Sequence, residues 1–230
     1  MRLPRNIQNY GSDALLLEWE QEIDPDINIS VHHYAEALRG HPAVVESVAA
    51  YNSLLVRYDP NQLNAYQLRE WIYDHPATES NNKPGKLHRL PVVYGGDYGP
   101  DLATTAKSLK LSQKKLIELH TATTYLVYQM GFQPGFAFLG LTDKKLSVDR
   151  RETPRTMVPA GSVGLAGRQT AVYPNSSPGG WQIIGRCPTR LWDASKFRAN
   201  RLQAGDRVKF YAVQPEEWTA LEKKTASWKA

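Results

Sequence analysis

The apolar residues in the first third of the chain keep two different rhythms. Leu15-Leu16-Leu17-Glu18-Trp19 is a short apolar run after the Gly11-Ser12-Asp13 turn and predicts a strand. Asp24-Pro25-Asp26 supplies a cap and a first-turn proline. Ile29, His33, Tyr34, Ala37 and Leu38 then recur at helical spacing until Gly40 stops the run. Val44 to Tyr51 and Ser53 to Tyr58 are separated only by Asn52 and predict a hairpin or two neighbouring strands. A second helix is expected from Asn64 to Tyr73, with Leu68, Trp71 and Ile72 inward. Strand, helix, two strands, helix is the order of a small α+β sandwich, ferredoxin-like or related, expected over residues 1–76.

From Ala77 to Lys86 the chain carries no apolar period and is rich in turn formers, so residues 77–88 read as a linker. Beyond it Gly and Pro become frequent and the apolar runs shorten. Ser112 caps one helical stretch holding Leu116, Ile117, Leu119 and His120. Tyr125 to Met130, Phe136 to Leu141, Thr156 to Val158, Thr170 to Tyr173, Trp181 to Ile184 and Arg207 to Val213 predict strands. Short strands with Gly/Pro turns predict a closed all-β domain over 89–214. A last helix is expected within 215–230, with Trp218, Leu221 and Trp228 on one face.

Composition narrows the function classes. The 230 residues are 41% apolar and 22% charged, enough for two real cores. No apolar run approaches the roughly 18–20 residues of a membrane span, and no apolar segment follows Met1-Arg2-Leu3-Pro4-Arg5 as in a signal peptide. With the single cysteine, Cys187, this points to the cytoplasm and excludes an internal disulfide. The net charge of +5 is spread over scattered lysines and arginines, which argues against nucleic acid and suits an anionic small molecule or acidic partner. The six histidines do not cluster, so no metal site is expected. P-loop, His-Glu-x-x-His and Gly-x-Ser-x-Gly motifs are absent.

Three segments carry candidate chemistry. In Leu90–Leu102 a strand runs into Gly95-Gly96, and Asp101 is placed to cap a short helix. In Gly131–Gly140, Gln133 sits between Phe132 and the Pro134-Gly135 turn. Its amide suits recognition of another amide or a carboxylate, or a hydrogen bond to loop backbone, and the phenylalanines suit a core. In Pro154–Gly185, Arg168-Gln169-Thr170 follows the spaced glycines Gly161, Gly164 and Gly167, and Gly179-Gly180 precedes Trp181-Gln182. Glycines let backbone approach a ligand, or simply turn corners in a barrel, while an arginine fork suits a carboxylate or phosphate.

These stretches resemble one family: the B subunit of bacterial 5-oxoprolinase, also called allophanate hydrolase subunit 1 or the KipI family. The resemblance is carried by Pro91–Gly96 with Gly99–Leu102, by Gly131–Phe136, by Pro154-Arg155 with Val158–Gly164, and by Gln169-Thr170, Tyr173-Pro174 and Pro178–Trp181. It is strong from Leu90 to Asp193 and thins to Leu202–Val208 after that. Arg186-Cys187-Pro188 and the Trp218–Trp228 segment depart from it. It implies a ferredoxin-like domain followed by a cyclophilin-like β-barrel, and a heteromer with a homologous C subunit that works with an A subunit. Together they open the lactam ring of 5-oxoproline to L-glutamate at the expense of ATP, with Mg beside it. The nucleotide would sit at the subunit interface or in the partner, and this chain alone would be inactive.

Such a reaction makes sense of the candidates. A lactam is a poor electrophile, and phosphorylating its oxygen makes the carbonyl attackable. The step needs amide recognition and cations for developing charge. Gln133 and Arg168, with His120 and Tyr125 for proton transfer or hydrogen bonding, are the expected catalytic set. Arg155, Gln169, Thr170, Tyr173, Gly179, Gly180 and Gln182 are the expected binding set. The family also implies two alternatives: a regulator that inhibits a sensor histidine kinase, and a carboxyltransferase-type subunit for another small amide such as urea or allophanate. Prolyl isomerisation is disfavoured, because the Phe-His-Arg segment of cyclophilin sites is absent.

Overall fold

Alternation in two neighbouring strands builds the N-terminal unit. In the computed structural model, which describes residues 1–76, 85–195 and 200–225, the chain splits into units Met1–Pro84 and Gly85–Ala230. Strands β1 (Asn6–Asn9), β2 (Ala14–Glu18), β3 (Val44–Ala49) and β4 (Ser53–Tyr58) form one antiparallel sheet in the order β1-β2-β4-β3. Pairing of Leu15 with Val56 and of Leu17 with Leu54 puts four fully buried side chains on one face. Helices α1 (Pro25–Arg39) and α2 (Ala65–Asp74) supply the other half of that core through Ile27, Val31, Tyr34, Leu38, Leu68 and Ile72. Burying each such side chain is worth roughly 1.5–3 kcal/mol. The Asp24 side chain caps α1 by accepting from the Asp26 and Ile27 amides, and Asn64 and Gln67 form a reciprocal capping box on α2.

The structure corrects two expectations in this unit. The inward stripe of α1 is Ile27, Val31, Tyr34, Ala35 and Leu38, while Ile29 is 45% exposed and Ala37 is exposed. Two residues are about 200° around a helix, so reading the phase from Ile29 pointed it at solvent. Strand β1 was not expected, because Asn6-Ile7-Gln8-Asn9 offers one apolar residue in four. It forms at the sheet edge through backbone pairing, from Asn6–Glu18 to Asn9–Leu15. With β1 in that place, β2-α1-β3 is a crossover unit with β4 inserted between its strands, the ferredoxin-like plan.

The C-terminal unit is mixed, with helices α3 (Leu102–Ser108) and α4 (Gln113–Ala122) joining its first strands and α5 (Trp218–Thr225) following the last. Strands β5 (Leu87–Tyr94), β6 (Thr124–Met130), β7 (Ala137–Gly140), β9 (Ser162–Ala166), β10 (Gln169–Val172), β12 (Gln182–Arg186) and β13 (Arg207–Ala212) close a seven-stranded barrel in the order β10-β7-β6-β13-β5-β12-β9. Only the β13–β5 pair is parallel, and closure leaves the barrel without a free edge. Strands β8 (Arg155–Val158) and β11 (Ser177–Gly179) pair with each other as a separate ribbon.

Two cores result. One fills the barrel and takes in Leu102 and Ala106 of α3 and Leu116 of α4. The other gathers Phe136, Tyr173, Trp181 and Ile183 with Val158 of the ribbon. Of the two readings of the glycine-rich stretch, ligand approach or barrel corners, the second fits: it is largely β9, buried at every residue and paired on both sides. Gly161 (φ +83°) and Gly167 (φ +55°) turn the corners at its ends. Strand β5 begins inside the stretch expected as linker, and residues 77–84 lie outside the described residues, as does Trp228. Trp218 packs within its own unit, its ring 5.1 Å from that of Tyr98 and under the Arg186 guanidinium at 5.3 Å. Among the described residues no helix is long and apolar enough to cross a membrane.

Candidate functional site

The expected site residues fall into separate places. His120, Tyr125 and Thr170 lie inside the barrel, where α4 ends against β6 and β10. His120 is fully buried and stacks on Phe210 with ring centroids 4.7 Å apart. Its Nε2 is 2.9 Å from the Thr170 hydroxyl, and its Nδ1 is 2.7 Å from the Tyr94 hydroxyl. The Thr170 hydroxyl has one proton and donates it to the Gly164 carbonyl at 3.0 Å. His120 Nε2–H must therefore donate to Thr170, and Nδ1 must accept from Tyr94 O–H. The Tyr125 hydroxyl completes the group by donating to the His120 carbonyl at 2.7 Å. Burial holds the His120 imidazole down to about 3, so it is neutral, and raises the Tyr94 and Tyr125 phenols.

A second cluster forms where the β8–β11 ribbon meets the start of α3. Asp101 is 5% exposed and, unlike the expected cap, makes no side-chain bond to its own helix. Its carboxylate accepts from the Ile183 amide at 2.6 Å, from Arg155 Nη2 at 2.6 Å and from Arg151 Nη1 at 3.4 Å. Arg155 Nη1 is buried and has no hydrogen-bond partner. Arg155 pairs in register with Gly179, where a Cβ would stand 2.4 Å from the Tyr173 hydroxyl. Gly179 is therefore fixed by close approach of that phenol. Burial raises the Tyr173 phenol, opposed by the Trp181 amide and by the charges of Arg150 and Arg155. The Gly180 carbonyl accepts from the Arg151 amide at 2.7 Å. Gln133 donates to the Ser177 hydroxyl at 3.3 Å, which ties the β6–β7 turn to the ribbon. Beside it Phe132, at φ +71° and 65% exposed, meets Phe136 edge-on at 5.2 Å.

The remaining candidates are dispersed. Arg168 spends Nη2 on the Thr142 carbonyl at 3.1 Å, Gln169 starts β10 opposite Gly140 and Ala166, and Gln182 donates to the Asp149 carbonyl at 3.1 Å. Sequence reasoning missed Asp101 as a functional group and Arg151 altogether. Their signal was weak, since about fifty residues separate each arginine from the acid and only the fold joins them.

The glycine-rich stretch does not fit ATP phosphates. The amides of β9 face partner strands on both sides, so the glycine-rich stretch offers no phosphate cradle. Among the described residues no group of three or more His, Cys, Asp or Glu side chains is placed to hold a metal. A cleft of about 410 Å³ in the N-terminal unit, lined by Met1, Arg2, Asp26, Ile29 and Ser30, holds none of the candidates.

Residues 5–202 match the family described as carboxyltransferase domain, subdomain C and D. The chain is 34% identical to the 5-oxoprolinase B subunit of Bacillus subtilis (strain 168), across 98% of this chain and 100% of that one. The chain belongs to the 5-oxoprolinase B-subunit family. Within that family it is also 40% identical to the 5-oxoprolinase B subunit of Haemophilus influenzae over 77% of its length and 83% of the relative's. The solved structure of TTHA0988 superimposes with a TM-score of 0.78 at 33% identity over 87% of this chain, which spans 40% of that longer protein. The family membership and the mixed α+β fold with its closed, cyclophilin-like barrel agree with the expectation from sequence.

Proposed function

We propose that this chain is the B subunit of an ATP-dependent 5-oxoprolinase and opens 5-oxoproline to L-glutamate together with its A subunit and a homologous C subunit. The observation that supports this reading best is the cluster of Arg155, Arg151 and Asp101 above the core that holds the Tyr173 phenol. 5-Oxoproline is a lactam ring bearing a carboxylate, so its recognition needs a cation, neutral hydrogen-bonding groups and a flat apolar surface. Gln133, joined to the ribbon through Ser177, supplies an amide that both donates and accepts. ATP and its Mg²⁺ belong to the assembled complex, held by the partner or at the interface; the paired amides of β9 and the absence of a cluster of metal-ligating side chains among the described residues support this. The chain alone is accordingly inactive. A cytoplasmic location suits the free, buried thiol of Cys187.

The test is co-expression with the A and C subunits of the same genome, followed by assay of 5-oxoproline-dependent ATP hydrolysis and glutamate release. Glutamate is expected only with all three proteins present. A stable complex that leaves 5-oxoproline untouched would redirect the substrate to another small amide. Failure of any complex to form would refute the subunit reading and make sensor-kinase binding the next assay.

A further inference from the structure

Arg155 is held in an unusual way. One nitrogen of its fork is tied at 2.6 Å to a buried carboxylate, and the other is buried with nothing to donate to. A buried charged donor without an acceptor is costly, and native structures keep few of them. Arg151 reaches the same Asp101 oxygen, so two guanidiniums share one acid and a positive charge is left over. Asp149 and Glu152, the acidic neighbours in sequence, are exposed and make no ion pair with the cluster among the described residues. Arg168 has a similar orphan at Nε, but its fork is used on a backbone carbonyl rather than on a buried carboxylate.

We propose that this cluster binds the carboxylate of a small ring compound, through Arg155 with Arg151, and excludes phosphate. The excess positive charge and the spare guanidinium nitrogen call for an anion. Three features select a monoanionic carboxylate. Asp101, bonded to the same guanidinium, repels a dianion more than a monoanion. The backbone amides at the cluster are already used, that of Ile183 on Asp101 and that of Arg151 on the Gly180 carbonyl. The core beneath the cluster is aromatic, with Tyr173, Phe136 and Trp181 meeting edge to face and Phe138 next to Trp181. Such apolar surroundings disfavour a dianion more than a monoanion. The Tyr173 hydroxyl, close to Gly179 and in the field of Arg155, is a neutral polar group beneath the ribbon.

The choice of ring rests on the 5-oxoprolinase reading. Binding to the assembled complex without ATP, or to the full chain if no complex forms, is measured by calorimetry. The probes are 5-oxoproline, 2-pyrrolidinone (the same lactam without its carboxylate) and inorganic phosphate. Arg155→Met is expected to weaken 5-oxoproline at least tenfold, with partial recovery in Arg155→Lys. 2-Pyrrolidinone should bind weakly and equally to all three proteins, and phosphate should not compete. Cooperative melting well above the assay temperature and an unchanged KM for ATP in Arg155→Met separate a binding loss from a folding loss, since the variant also loses the 2.6 Å pair with Asp101. Equal 5-oxoproline affinity in wild type and a folded Arg155→Met, absence of binding by wild type, or competition by phosphate at equal concentration would overturn the assignment. Turnover with an unchanged KM for 5-oxoproline in Arg155→Met sinks this site and leaves the function standing. Arginine-dependent carboxylate binding without turnover does the reverse.

Discussion

The barrel interior and the ribbon cluster both place polar side chains against apolar walls, and they solve the problem in opposite ways. Inside the barrel, Tyr94, His120, Thr170 and Gly164 form a chain in which each proton has one acceptor, and the imidazole is neutral. At the ribbon, Asp101 is fully used but Arg155 keeps a buried donor unmatched, and two cations face one acid. A saturated neutral network specifies packing, whereas an unsaturated charged one leaves energy to be gained from a ligand. The expected catalytic residues His120 and Tyr125 thus sit in surroundings that hold them in fixed, neutral hydrogen bonds, while Arg155 sits where an anion is favoured.

That contrast is open to direct attack. The largest effect is expected from Asp101→Ala, which leaves two arginines without their acid and the Ile183 amide without its acceptor. We expect a loss of about 3 kcal/mol, the low end for a broken buried pair because Arg151 and Arg155 retain access to water. Asp101→Asn, which keeps an acceptor for Ile183, should lose less, and urea unfolding of the two variants reads the difference. Equal losses would mean that the charge has no part.

Next is the pH response of His120. Its folded pKa of about 3 lies below the unfolded value, so its contribution is complete above pH 6.5 and is lost as pH falls through the range between the two values. In that window the unfolded chain binds the extra proton. Unfolding free energy should therefore drop by about 1.4 kcal/mol per pH unit from this group. Urea midpoints at pH 7 and pH 5 should converge in His120→Gln, and an unaltered slope would show that the imidazole does not titrate as its burial requires.

Thr170→Val removes the acceptor of His120 Nε2–H and the donor to Gly164 while keeping the shape. It should cost about 1–2 kcal/mol in melting experiments without touching 5-oxoproline affinity. A binding change in that variant would join the two regions into one site. The smallest effect is expected at Phe132, exposed on its turn. Phe132→Ala should change stability by less than about 0.5 kcal/mol, and a larger loss would mark its contact with Phe136 as part of the core.

Legibility followed the range of the interactions. The α4 cap at Ser112, the β3–β4 hairpin and the β6, β10 and β13 strands were readable because their signals lie within a few neighbouring residues. Strand β1 was not, since it is polar and exists by pairing with β2, nor was β9, whose glycines suited a ligand loop or a barrel corner equally until both flanking strands were in place. At the site, Arg155, Tyr173, Gly179 and Gln133 were legible as residue types on glycine-rich turns. Asp101 was legible only as a helix cap, because its partners at Arg151 and Arg155 are remote in the chain.

The amino-acid sequence by itself determined the α+β class, the two-part organisation of strands and helices, and membership of the 5-oxoprolinase B-subunit family, because caps, turn residues, apolar periods and motifs are local. The tertiary structure alone decided which candidates share a site. Closing the barrel sealed His120, Tyr125 and Thr170 among apolar side chains, and the β8–β11 ribbon set Arg155 opposite Gly179 and brought it to Asp101. Burial and charge balance depend on what every other part of the unit places around a side chain, and no window of sequence contains that information.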